Sequence, residues 1–201
     1  MKPDNKFFAF MSLAGDIILL NVLFIITSLP ILTAGTSLTA LYASLRKRLR
    51  GQESYIVRDY FAFWKENLKN SMIIWCILLP CLIAMLVFTS YIANNLQNLA
   101  ALCVYFLLLL ILLFVLSYAF PLQATFVNSP TRILLNSLLT ALRHLPYTLA
   151  LIFITSLPVC LTLCFPRAFY FTCAYWLLLG FSVSTILSVL ITEKVFQYYT
   201  A

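Results

Sequence analysis

The sequence predicts an all-α fold, a polytopic membrane helical bundle, and three observations carry that expectation. Of 201 residues 63% are apolar and only 9% charged, with a mean hydropathy of +1.00, against roughly 45 to 50% apolar and about 25% charged in an average soluble domain. Several apolar runs reach about 20 residues, the length a helix needs to cross a bilayer. These runs lack the alternating pattern of barrel strands, so the backbone must be satisfied inside helices. The chain reads as one integral membrane domain over residues 1–201, with about five transmembrane helices plus amphipathic helices on the cytoplasmic side.

The net charge of +7 invites a nucleic-acid reading, and its distribution argues against one. Seven of the thirteen basic residues fall between Arg46 and Lys69, a short connection between apolar runs. The positive-inside rule makes that connection cytoplasmic. Membrane lipids, with their anionic headgroups, are the expected partner, and no nucleic acid is.

The first span is expected over 7–29, preceded by a short polar start that lacks the pattern of a cleavable signal. It carries one charge, Asp16, which allows two readings: a place near the outer interface, or a place within the span facing the bundle interior. In the second case an intramembrane acid becomes a functional candidate. Asn21 and Ser28 share one face of this helix, and Asp16 and Thr27 another. Asp16 and Asn21 are the candidate intramembrane polar site.

Pro30 to Gly35 breaks the helix, and residues 36–50 restart as a helix too short to span. Its stripe of Leu38, Leu41, Tyr42 and Leu45 faces away from Ser37, Ala40 and Ser44, which predicts an interfacial or partly re-entrant element. The basic end, Arg46, Lys47, Arg48 and Arg50, is expected to reach cytosol and headgroups. A turn at 51–54 leads to a second interfacial helix over 55–70. Here Tyr60, Phe61 and Trp64 form an apolar side, and Arg58, Trp64, Lys65 and Lys69 are candidate headgroup anchors.

The second span is expected over 71–92 with a kink at Pro80, the third over 99–120 after an uncharged turn at Asn94 to Asn98. Another amphipathic helix, 131–144, carries Arg132 and Arg143. The fourth span follows over 145–164, kinked at Pro158, then a turn at Phe165 to Ala168 and the fifth over 169–191. Five spans with the basic loop inside put the amino terminus outside and the carboxyl terminus in the cytoplasm. Only Lys2, Lys6 and Arg167 would then be basic on the outer side. An amphipathic helix followed by a membrane hairpin occurs twice, at 55–120 and 131–191, a pattern of the kind that internal duplication produces in transporters.

Little in the sequence points to catalysis. There is one histidine, His144, and no metalloprotease, nucleophile-elbow, phosphate-loop or paired-cysteine motif. The six cysteines, Cys76, Cys81, Cys103, Cys160, Cys164 and Cys173, lie in or beside apolar runs, where cysteine acts as a small apolar side chain. The chain is read as a non-enzyme without cofactor or metal. A lipid-modifying site built from Arg58, Asp59 and His144 is the weakest alternative.

Three segments carry a resemblance: GDIILLNVLFIITSLPILTAGTSLTALY at Gly15 to Tyr42, VRDYFAFWKENLKNS at Val57 to Ser71, and FPLQATFVNSPTRILLNSLLTALRHLPYTL at Phe120 to Leu149. With AYWLLLGFS at Ala174 to Ser182, they resemble the YesL-like family, bacterial inner-membrane proteins classed as a domain of unknown function. The resemblance implies a plasma-membrane protein often encoded near carbohydrate-uptake transporters. Its implied role is accessory, as a partner of a sugar ABC transporter complex. The alternative is a small-solute transporter or channel in its own right, using Asp16 and the broken Pro30 to Gly35 region.

Overall fold

A computed structural model describes residues 4–52, 55–94, 98–164 and 169–200. Every regular element among them is helical: α1 (Asp4–Ser28), a single 3₁₀ turn (Ile31–Thr33), α2 (Ala34–Leu49), α3 (Ile56–Asn94), α4 (Leu99–Thr125), α5 (Pro130–Arg143), α6 (Leu145–Cys164), α7 (Phe169–Tyr175), a π-helical turn (Trp176–Gly180) and α8 (Phe181–Thr200). Five stretches are long and apolar enough to cross a membrane: Met11–Ser28, Ile56–Ala93, Leu99–Thr125, Leu145–Cys164 and Tyr170–Tyr199. Together they form an all-α bundle. The turns expected at 51–54, 94–98 and 165–168 lie wholly or partly outside the described residues, as do Lys2 and Arg167.

Local chemistry sets the boundaries. Pro30 disfavours helix at the residue before it, and α1 stops at Ser28. Thr33 then closes the corner by donating its hydroxyl to the Thr27 and Pro30 carbonyls at 2.7 and 2.8 Å. The helix restarts at once, so Gly35, expected in the break, lies inside α2 instead. Gly51 ends that helix in the left-handed region at φ 69, which glycine enters without a Cβ penalty. Asn98 caps α4 by accepting from the Ala101 amide at 3.1 Å. At α5, Pro130 occupies the first turn, where its missing N–H costs nothing.

The arrangement around α2 corrects two expectations. The helix over 36–50, expected as an interfacial or partly re-entrant element, is not interfacial but the centre of the bundle, with every residue from Gly35 to Leu45 buried except Leu38. Leu41 and Leu45 pack with Leu20 and Tyr60 in one apolar cluster, while Tyr42 belongs to a second, with Tyr118, Phe120 and Val195. Both faces are covered because the side chains are small, which lets neighbouring backbones approach closely. At Gly35 a Cβ would lie 2.6 Å from Trp75 Cβ and 3.0 Å from the Phe120 ring. The hydroxyls of α2 find partners across the helix contacts: Thr39 meets Ser71 at 3.0 Å, and Trp64 Nε1 donates to Ser37 Oγ at 3.3 Å.

The second correction concerns 55–70 and 71–92. They are one continuous helix of 39 residues, because no glycine or proline interrupts the chain between Ile56 and Leu79. By contrast the corresponding elements of the later half, α5 and α6, are separated at His144. The two hairpin units are therefore built differently at their entrances. All six cysteines sit on the outside of the bundle, facing away from the packed interior.

Candidate functional site

Three features assemble around α2: a set of ion pairs at its basic end, a backbone clamp made by Asn21, and a cavity beside its amino-terminal half.

At the basic end, Arg48 Nε donates to Asp16 Oδ2 at 2.7 Å and Lys47 Nζ to Asp59 Oδ2 at 2.7 Å. Arg46 pairs with Glu193, and Arg50 Nη2 reaches the other oxygen of the same carboxylate at 3.0 Å. Three cations of α2 and Arg50, which follows it, thus reach α1, α3 and α8. Arg46, Lys47, Arg48 and Arg50, expected as headgroup and cytoplasmic anchors, also join helices to one another. Asp16, for which an outer interface was one reading, lies at the end of the bundle that holds the basic cluster. Of the remaining anchor candidates, Trp64 is half-buried and turned onto Ser37, whereas Arg58, Lys65 and Lys69 are exposed along α3.

Asn21 is completely buried, and its amide is fully used. Its Nδ2 donates to the Trp176 and Leu177 carbonyls at 3.0 and 2.8 Å, and its Oδ1 accepts from the Ser182 amide at 3.0 Å. Those backbone groups belong to the π turn and its exit, where the wider helical repeat leaves carbonyls without the usual partner. Gly180 lets that turn form, since a Cβ there would lie 2.6 Å from the Trp176 ring. Asp16 and Asn21, taken together from the sequence as one polar site, therefore serve separate purposes.

The cavity, about 380 Å³, lies between α2, α3, α4, α6 and α8. Tyr42, Trp75, Phe120, Trp176 and Phe181 supply rings to its wall, and no lining residue is charged. Its hydroxyls mostly turn back on their own helices: Ser117 donates to Leu113, Thr155 to Leu151 and Ser188 to Ser184. Ser184 Oγ is buried against the cavity with no partner among the described residues. Such a lining suits an uncharged, mainly apolar occupant. Asp16 and Asn21 do not line it.

His144 and Asp59, paired in the lipid-modifying alternative, have other neighbours. Asp59 is on Lys47, and His144 packs among Tyr147, Tyr198 and Tyr199 with its Nε2 3.2 Å from the Tyr199 hydroxyl.

Residues 17–89 match the family model "Protein of unknown function, DUF624". The matched stretch contains Asn21, all of α2 with the four cations at its end, Asp59 and most of α3, so it covers the central helix and parts of two of the helices packed on it. No curated protein and no solved structure matches the chain.

Proposed function

We propose that the protein is a non-catalytic plasma-membrane component of carbohydrate uptake, an accessory partner of an ATP-driven sugar transporter. The observation that supports this most is the use made of its charges. Asp16, Asp59 and Glu193 each hold a cation of α2, so these groups serve the fold rather than a reaction. What faces outward is a broad apolar surface and, on α3, the exposed Arg58, Phe61, Lys65 and Lys69, a surface suited to lipid and to a partner protein. The resemblance to the YesL-like family, with which the DUF624 match agrees, supplies the carbohydrate context. Affinity purification in mild detergent tests it. Sugar-transporter subunits should co-purify with the tagged protein, and its recovery free of any transporter subunit would count against the reading.

The alternative, a transporter using Asp16 and the Pro30 to Gly35 region, finds less support in the geometry. Asp16 is spent on Arg48, and Gly35 is packed against Trp75 and Phe120. Flux in reconstituted vesicles that Asp16→Asn abolishes would restore it.

We also infer an orientation different from the one the charge count suggests. From Asp16 to the corner at Ser28 is about 18 Å of helix at about 1.5 Å per residue, short of the roughly 30 Å hydrocarbon core. The α2 helix then returns to Asp16. Supported by the exposed apolar corner of Leu29, Ile31 and Leu32, α1 and α2 enter and leave on one face. Both chain ends then lie on the cytoplasmic side.

A further inference from the structure

A second concave site lies away from α2, where the carboxyl-terminal ends of α4 and α8 meet α5. It is a cleft of about 340 Å³. Its floor is apolar, from Leu122, Phe126 and Ile133, and its polar rim is Asn128, Asn136, Thr140 and Arg143. No acidic residue lines it.

Several details mark these rim groups as unspent. The Arg143 guanidinium makes no ion pair among the described residues and lies 5.6 Å from the centre of the Tyr199 ring, which orients it without neutralising it. Tyr199 is in turn positioned by its hydroxyl, 3.2 Å from His144 Nε2. Thr140 is only 6% exposed, and its hydroxyl has no hydrogen-bond partner among the described residues, nor do the side chains of Asn128 and Asn136. One fixed cation, two amides and a hydroxyl thus converge where nothing in the protein answers them. Phosphate oxygens accept from all of these donors, and a guanidinium can engage them bidentately.

The cleft also has a way out for a chain. Leu139 forms part of its wall and continues on the surface of α5 into Leu135 and Leu142, which are 60% and 51% exposed. The three leucines follow the four- and three-residue spacing of one helix face. Tyr199 lies six residues beyond Glu193, about 9 Å further along α8 at about 1.5 Å per residue. That puts the polar rim at the same end of the bundle as the charged end of α2.

We propose that this cleft binds a phosphate-bearing anion, its phosphate held by Arg143, Asn128, Asn136 and Thr140. The leucine face of α5 fits the acyl chain of an anionic phospholipid. A soluble phosphate ester shares the headgroup chemistry, and the experiment separates the two sources.

The test uses the full chain in phosphatidylcholine nanodiscs containing a graded fraction of phosphatidylglycerol, with binding read from lipid retained in native mass spectrometry. Glycerol phosphate is titrated in a parallel arm. Phosphatidylglycerol should be retained over phosphatidylcholine, and Arg143→Gln should weaken retention about tenfold, the loss of one charge-assisted contact. Asn136→Leu, at an exposed position that leaves the fold intact, should weaken it as well. Lys69→Gln, a cation on a different helix that does not line the cleft, should change it less than about twofold, because a solvated charge outside the site is screened by salt. Binding of glycerol phosphate as tight as that of the lipid would also support the phosphate site and assign it to a soluble ester. Equal retention of both lipids together with no binding of glycerol phosphate would overturn the proposal. So would equal losses in the Arg143 and Lys69 variants.

Discussion

Asn21 shows how much one amide can matter in a bundle surrounded by lipid. It satisfies two carbonyls and one amide of a neighbouring helix at a point where that helix cannot satisfy them itself. Replacing it with leucine, similar in size, would strand all three groups where no water can reach them. Asn21→Leu should cost on the order of 3 kcal/mol, seen as a melting temperature lowered by about 2 to 4 °C per kcal/mol for a chain of this length. Unchanged melting would show that the π turn finds other partners. The ion pairs are smaller effects and differ among themselves. Among the described residues, Glu193→Gln removes the carboxylate partner of two guanidiniums, whereas Asp16→Asn removes that of one. The first should therefore destabilise more, by about 1 kcal/mol given the partial exposure of the groups, with added salt reducing both differences. Equal effects from the two would mean that Arg50 contributes nothing at Glu193. From the sequence, Asp16 and Asn21 stand out as polar groups in an apolar run, but their partners lie up to 161 residues away. No local pattern announces such pairings.

Among the elements, the spans were legible because their length and apolarity need no tertiary information. The role of α2 was not. Its sequence, with glycine, serines, threonines and alanines alternating with leucines, reads as amphipathic when placed at a water boundary. The same residues, surrounded by helices, bury a small-residue face and a leucine face equally well. Gly35 is where this can be tested. Gly35→Ala would push a Cβ against Trp75 and Phe120 and force α2 and α3 apart, at a cost of about 1 to 3 kcal/mol. The Trp75 indole, which donates to the Ile31 carbonyl at 2.7 Å, would report the shift in its fluorescence. An unaltered spectrum and melting temperature would indicate that the contact is looser than the structure has it. The break between α5 and α6 falls where the amphipathic stretch 131–144 gives way to the apolar run 145–164, as expected, whereas the fusion of two expected helices into α3 was not legible. Aromatic and basic residues suggested a boundary near Asn70 that the backbone has no reason to make.

For the whole molecule, the orientation is the property most directly open to experiment. The positive-inside rule assigns the basic loop to the cytoplasm, but the side on which the amino terminus lies depends on whether α1 crosses or turns back. In a variant with the native cysteines replaced by serine, Lys6→Cys and Gln52→Cys should react with an impermeant maleimide from the same side. Asn98→Cys should react from the other. Labelling of residues 6 and 52 from opposite sides would restore a first helix that crosses alone. The charge pattern supplies an expectation for the sidedness of the loop. It could not carry the sidedness of α1, because a hairpin and a span have the same composition.

The uninterrupted α3 has a mechanical consequence. At 39 residues it is a rod of about 58 Å, nearly twice the hydrocarbon thickness, and it bears on the central helix near Gly35 and Trp75. A load applied by a bound partner at the Arg58 end would swing the opposite tip about that fulcrum. Pro80 is the one joint along it, since proline removes a rung of the helix ladder. Pro80→Ala should stiffen the rod and narrow the distribution of distances between spin labels at positions 58 and 91; an unchanged distribution would mean that neighbouring helices already hold the joint rigid.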